Sequence, residues 1–475
     1  MQRRPPTVNN TIPPPPPPPD RVAPLSLLLL GTGPSSALPY LPCITSPTPS
    51  LPLSAGGCCD ACADTLPRSE GGSGRKSKNV RGNTGAVLRV PPTQEEWERG
   101  EREEKTVLID CGKTFREQAL KLFRKHGLRK VDACVLSHHH ADAIDGLDDL
   151  RAWTYHTAIE RTIPIYCTAT TYSFIRSSFP YMINKKAASG GGAIPSFEWH
   201  VMPDPEKEME QGREVEDWEV VPGLRICPVP VVHGHYFDRP EGEPQRPLIS
   251  LGFLIEQSLL YISDVSHIPS ATFSLLSRRL SLPSSPSLNL PRLQALIIDS
   301  SSPFHPSASH FALPQALSTG RTLGAKKTYL TDIAHGMAHE GWVKVCEAVE
   351  RGEGERVDIK RSVEGGNLSD EEGDEAEELT ALSRLSRFTD LAINGPASPS
   401  TGDKSVMLRV LAGINAFDPS ILPSKMWARP AVDGMVIAWN GNGGGEGVWD
   451  GEYGRASGVV PRDGDPGTMK GRDRT

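Results

Sequence analysis

The sequence predicts an α/β fold, on two observations that recur along the chain. Apolar runs of strand length alternate with stretches of helical spacing. Several of those runs end abruptly in His or Asp. Ligand-type side chains at the C-terminal ends of buried strands are where open α/β folds place their chemistry.

Leu25 to Leu30 reads as the first strand, and Gly31-Thr32-Gly33 after it permits a tight turn close to a ligand. Ala86 to Val90 and Thr106 to Asp110 read as the next two strands. Residues 91–105 between them read as a charged hairpin tip, and Gly112 turns the chain after Asp110. Phe115, Ala119, Leu122 and Phe123 give residues 114–126 the spacing of a helix. Ala133 to Leu136 is a buried strand that stops at Ser137-His138-His139-His140-Ala141-Asp142, and Leu147, Leu150 and Trp153 mark the helix that follows. Ile163 to Cys167 is a strand and Thr170 to Phe179 a helix, while residues 185–217 read as an irregular surface excursion. Leu224 to Val232 runs into His233-Gly234-His235. Ile249 to Ile255 and Leu259 to Ser263 follow, the second ending in Asp264. Leu296 to Asp299 leads to His305 and His310, and Ala312 to Thr319 is helical. Lys327 to Thr331 precedes Asp332-Ile333-Ala334-His335 and His339. Arg429 to Ile437 reads as a closing strand.

The ends differ in composition. Pro13 to Pro19 is a polyproline II tract inside a disordered tail of residues 1–23. Residues 441–475 form a Gly-rich tail, and the acidic run 370–378 marks a flexible insertion at about 351–405. One domain, residues 24–440, is expected between the tails. The net charge of −7 gives no whole-protein argument for nucleic-acid binding. With no basic stretch interleaved with aromatics, no nucleic-acid partner is expected, and nothing names a protein partner. The run Leu25 to Leu30 is too short to span a bilayer, and an odd count of nine cysteines argues against a fully disulfide-bonded secreted protein. A soluble, intracellular protein, cytoplasmic or nuclear, is expected.

His138 and His140 are two apart, so in an extended segment they point the same way, and Asp142 continues the row. Two imidazoles and a carboxylate on one side of a strand end make a site for zinc or a similar divalent ion. Cys59 and Cys62 form a Cys-x-x-Cys pair whose spacing suits one tetrahedral zinc, the alternative being reduced thiols in a loop.

The pattern His138-x-His140-x-Asp142, after an apolar strand and before Gly146, resembles the signature of the metallo-β-lactamase superfamily. Its extended form, through Asp145, Gly146, Asp148, Asp149 and Arg151, is similar to eukaryotic hydrolases related to the bacterial phosphoribosyl 1,2-cyclic phosphate phosphodiesterase. The resemblance implies an αββα sandwich, two mixed sheets face to face with helices outside and the site at one edge. It implies two divalent metals, zinc or manganese. The first is held by His138, His140 and His233, with Asp264 bridging; Asp142 and His335 are ligands of the second. It implies a structural zinc on Cys59 and Cys62, with Cys43 or Cys58 as third ligand and His339 as fourth. The chain departs from the pattern at Ala143, where a further His is usual, so the second site is oxygen-richer, which favours manganese. The implied activity is a binuclear phosphodiesterase acting on a small cyclic or nucleotide-like phosphodiester through a metal-bridging hydroxide. Asp142 and His310 carry catalysis, His310 as proton donor to the leaving alkoxide or as a residue that orients a ligand. The alternatives are a thioester or ester hydrolase of the same fold, and a metal-binding protein without turnover.

Overall fold

The computed structural model describes residues 21–48, 57–73, 76–189, 195–240, 242–280, 293–352, 404–418, 421, 425–439, 449, 450 and 452. Most of the expected tails and of the acidic insertion lies outside these residues, but two tail expectations are corrected: Arg21 pairs with Glu256 at 3.2 Å, and Trp449–Asp450 form a strand on the first sheet.

Fifteen strands build two mixed sheets. The first sheet takes β1 (Leu25–Gly31), β2 (Gly85–Val90), β3 (Lys105–Ile109), β4 (Ala133–Val135), β5 (Ile163–Thr168) and β6 (Phe197–Met202). The second takes β7 (Trp218–Val221), β8 (Leu224–His235), β9 (Pro247–Ile255), β10 (Leu259–Ile262), β11 (Leu293–Asp299), β12 (Ala325–Thr331) and β13 (Ala428–Pro430). The chain then returns to the first sheet with β14 (Val436–Trp439) and β15 (Trp449–Asp450). The spatial orders are β15-β14-β1-β2-β3-β4-β5-β6 and β13-β12-β11-β10-β9-β8-β7. The neighbours β1-β2-β3 and β7-β8-β9-β10 run antiparallel, and β3 to β6 and β10 to β13 run parallel.

Strand alternation separates three cores. Leu27 and Leu29 face inward and meet Phe253, Ile255 and Tyr261 of the opposite sheet. Leu28 and Leu30 face outward against the helix α1 (Phe115–Leu122) and Leu147 and Leu150 of the metal-loop helix. Leu260, Ile262, Leu296 and Ile298 face the other outer layer, where α2 (Ser270–Arg279), α3 (Leu313–Thr322), α4 (His339–Arg351) and α5 (Lys404–Phe417) pack. The result is the expected four-layer αββα sandwich.

Three local expectations are corrected. Residues 91–105 hold a short helix, Gln94–Glu98, closed by reciprocal bonds between Thr93 and Glu96; its Thr-x-x-Glu signature is legible in sequence. Residues 185–217 hold β6, which pairs parallel with β5. Its half-exposed residues Glu198 and His200 belong to an edge strand, whose polar face masks the apolar run. The closing stretch is two strands, not one. Pro430 ends β13 in one sheet, the chain turns at Gly434 with φ of 84°, and β14 enters the other.

Candidate metal centre

The strand ends of both sheets meet at one edge. The Leu251 N–H of β9 donates to the Ser137 carbonyl at 3.0 Å, which ties the metal loop to the facing sheet. Gly112 and Gly146 bring the loop after β3 against it. A Cβ at Gly112 would lie 1.7 Å from the Asp142 carbonyl oxygen, and one at Gly146 2.3 Å from that of Gly112.

Neighbouring groups fix the proton on two of the three imidazoles brought together there. Ser137 Oγ donates to Asp110 Oδ2 at 2.8 Å and receives His138 Nδ1–H at 2.9 Å, leaving His138 Nε2 as a lone pair. His233 Nδ1–H donates to the Ser309 carbonyl at 2.8 Å, so His233 Nε2 is also a lone pair. That atom lies 3.1 Å from His140 Nδ1. Burial, aided by the neighbouring His233, holds the His138 and His140 pKa values below the ordinary imidazole range, so both imidazoles are neutral, the form that can ligate a metal.

Carboxylates complete the group. Asp142 Oδ1 is 4.0 Å from His138 Nε2, and Asp264 Oδ1 is 3.9 Å from His233 Nε2. His138 Nε2, Asp142 Oδ1 and Asp264 Oδ1 are buried without hydrogen-bond partners. One unpartnered imidazole lone pair and two unpartnered carboxylate oxygens beside His140 and His233 fit a divalent cation. His138, His140 and His233 form one ligand-distance group, and His233, Asp264 and His310 a second that shares His233.

His310 stands beside them, its ring centroid 4.9 Å from that of His233. Its Nδ1 lies 2.9 Å from Asp299 Oδ2 and 3.0 Å from Asp332 Oδ2. Burial opposes a charged imidazole, but the two carboxylates outweigh it and raise its pKa to about 12. Asp299 and Asp332 are functional-site residues that sequence reading passed over. Both stand at the C-terminal ends of apolar strands, the signal that singled out Asp264.

His335 takes the place expected of His339 in the cysteine group, and His339 takes neither place. His335 Nδ1 is 3.3 Å from Cys59 Sγ and 3.5 Å from Cys43 Sγ, and with Cys62 these residues form a Cys₃His group of ligand atoms. His339, at the start of α4, meets Arg81 Nη2 at 3.2 Å through its Nδ1. The two histidines share one short segment, so their spacing does not say which faces the cysteines. His139, between the ligands, packs its ring 4.6 Å from Phe174.

Residues 105–333 match the family model described as the β-lactamase superfamily domain. Residues 105–333 carry a metallo-β-lactamase superfamily domain. Solved structures similar to it include a diphosphatase of the PhnP family, at 25% identity and TM-score 0.44 over 66% of this chain and 89% of that one. Zinc-bound PqqB from Methylobacterium extorquens is 15% identical, with TM-score 0.43 over 65% of this chain and 89% of its own. The short form of human tRNase Z is 13% identical, with TM-score 0.37 over 65% and 92%. Among curated sequences, an octanoyltransferase of Porphyromonas gingivalis (strain ATCC BAA-308 / W83) is 36% identical over 86 residues. That match covers 18% of this chain and only 16% of the relative's length. Among the described residues, no helix is long and apolar enough to cross a membrane.

Proposed function

We propose that the chain is a metal-dependent hydrolase whose substrate is a small cyclic or nucleotide-like phosphodiester. The observation that carries the hydrolase reading is the convergence of unpartnered ligand atoms from His138, Asp142 and Asp264 on the imidazoles of His140 and His233. The phosphodiester half rests on the likeness of the metal-loop signature. Divalent metals bound there supply a Lewis acid for the phosphoryl oxygens and an acidified water at neutral pH.

The chain's own groups do the rest. His138, His140 and His233 hold the first metal, and Asp264 and Asp142 extend the donor set toward a second. Asp299 holds the His310 Nδ1–H, so the ring keeps its second proton on Nε2, beside the metal group. From there it is handed to the departing alkoxide. The Cys43, Cys59, Cys62 and His335 group is the expected structural zinc site, with His335 in the place first given to His339.

The test is turnover of bis(p-nitrophenyl) phosphate with added zinc or manganese. Asp142→Ala should abolish it. His310→Ala should lower kcat by roughly 10²–10⁴-fold with a smaller change in KM. Hydrolysis of thioesters with no diester cleavage would replace the substrate class. Bound metal with no turnover of either would leave a non-catalytic metal protein.

A further inference from the structure

The second metal position poses a problem of supply. Position 143 is an alanine whose side chain packs in the outer apolar core, and His335 belongs to the cysteine group. Neither imidazole expected of a second site is present. The same region holds buried carboxylates in excess. Asp142, Asp264, Asp299 and Asp332 are each no more than 5% exposed, and among the described residues their ion pairs are all to imidazoles, none to Lys or Arg.

Asp332 is the least satisfied of them. One N–H serves one acceptor well, and the His310 Nδ1–H makes its hydrogen bond to Asp299 Oδ2, which also accepts from the Val265 N–H at 2.9 Å. Asp332 Oδ2 is left beside the same nitrogen without a hydrogen bond of its own, and Asp332 Oδ1 has no partner. The residue is 1% exposed, so water does not make up the loss. Its backbone is held at φ of 58° just after β12, a conformation that a non-glycine residue seldom adopts and that marks functional strand ends. Asp264 on one side and Asp299 and Asp332 on the other each lie within ligand distance of His310, so the carboxylates share one locality.

We infer that Asp332 is a ligand of the second metal and that, with Asp264 and Asp142, it makes that position a carboxylate site in place of an imidazole one. The inference rests on the metal-dependent reading above and adds to it a choice of ion. An all-oxygen donor set suits manganese or magnesium, whereas the first position, built on His138, His140 and His233, suits zinc. The protein is then a mixed-metal centre in which zinc alone fills the histidine half.

The experiment loads the full-length protein with zinc, removes excess, and titrates Mn²⁺ while following its paramagnetic resonance, with elemental analysis of both metals at each point. Wild type should take up one Mn²⁺ per chain beyond its zinc. Asp332→Asn, equal in shape, should weaken Mn²⁺ binding at least tenfold and leave zinc content unchanged. Asp332→His should restore a second ion and shift its preference toward zinc. Unchanged Mn²⁺ affinity in Asp332→Asn, or a wild type that takes no ion beyond the histidine and cysteine groups, overturns the assignment. Failure of the underlying reading looks different: His138→Ala would then retain all of its zinc.

Discussion

At the scale of single residues, the protons on His138 and His233 are set by neighbours, Ser137 and the Ser309 carbonyl, outside the candidate ligand set. Ser137 stands between Asp110 and His138. It donates to Asp110 through both its N–H and its hydroxyl, at 2.7 and 2.8 Å, and accepts from the imidazole. Asp110 itself sits at φ of 58°, a strained position kept because its carboxylate anchors this relay. Ser137→Ala breaks the relay without altering a ligand. Metal affinity should fall by roughly 10–100-fold, and Ser137→Thr, which keeps the hydroxyl, should recover it. Calorimetric titration of zinc into the metal-free proteins measures both; wild-type affinity in Ser137→Ala would show that the relay does not orient His138.

At the scale of elements, the site depends on how closely two loops pass. The loop after β3 and the His138–Asp142 loop exchange backbone bonds: Cys111 N–H donates to the Ala143 carbonyl and Gly146 N–H to that of Cys111, both at 2.8 Å. Side chains at 112 or 146 leave no room for this contact. Gly112→Ala should therefore push Asp142 away and cost about 1–3 kcal/mol or more, the usual range for overpacking. Urea denaturation reads the stability and metal titration the displaced ligand. An unchanged midpoint would mean that the loops separate freely and that their contact is not what positions Asp142.

At the scale of the molecule, the described residues around Cys43, Cys59 and Cys62 have little apolar packing of their own. The small cluster there consists of Cys43, Cys58, Cys59, Ala61, Cys62 and Ala338, with Tyr40, Ile44 and Ala63 against it. So few carbons bury little area, at about 25 cal/mol per Å², and a metal ion held by the Cys43, Cys59, Cys62 and His335 group would supply what the packing lacks. Cys62→Ser should release residues 57–73 to limited proteolysis and lower Tm, while the His138 group keeps its metal. Resistance equal to wild type would show that apolar contacts alone hold the segment.

Much of this architecture is legible from sequence, because local rules govern it. Alternation of Leu27 and Leu29 with Leu28 and Leu30, the abrupt stop of the β4 run at His138, and the Asp that closes the β10 run each follow from the period of a strand and the polarity of its end. The edge strand β6 and the split between β13 and β14 depend instead on which neighbour is available for pairing, and a single chain segment does not state that. The same holds at the metal centre. His335 and His339 are four residues apart, and only the turn after β12 decides that one meets the cysteines and the other Arg81. Asp299 and Asp332 are strand-end carboxylates on neighbouring parallel strands, brought to one histidine by sheet register. By itself the sequence determined the layers, the metal loop and the chemical types of its ligands, since these are properties of one strand or one turn at a time. Tertiary structure decided which candidate ligand side chains lie within reach of one another, because that depends on distances between segments that burial and register set together.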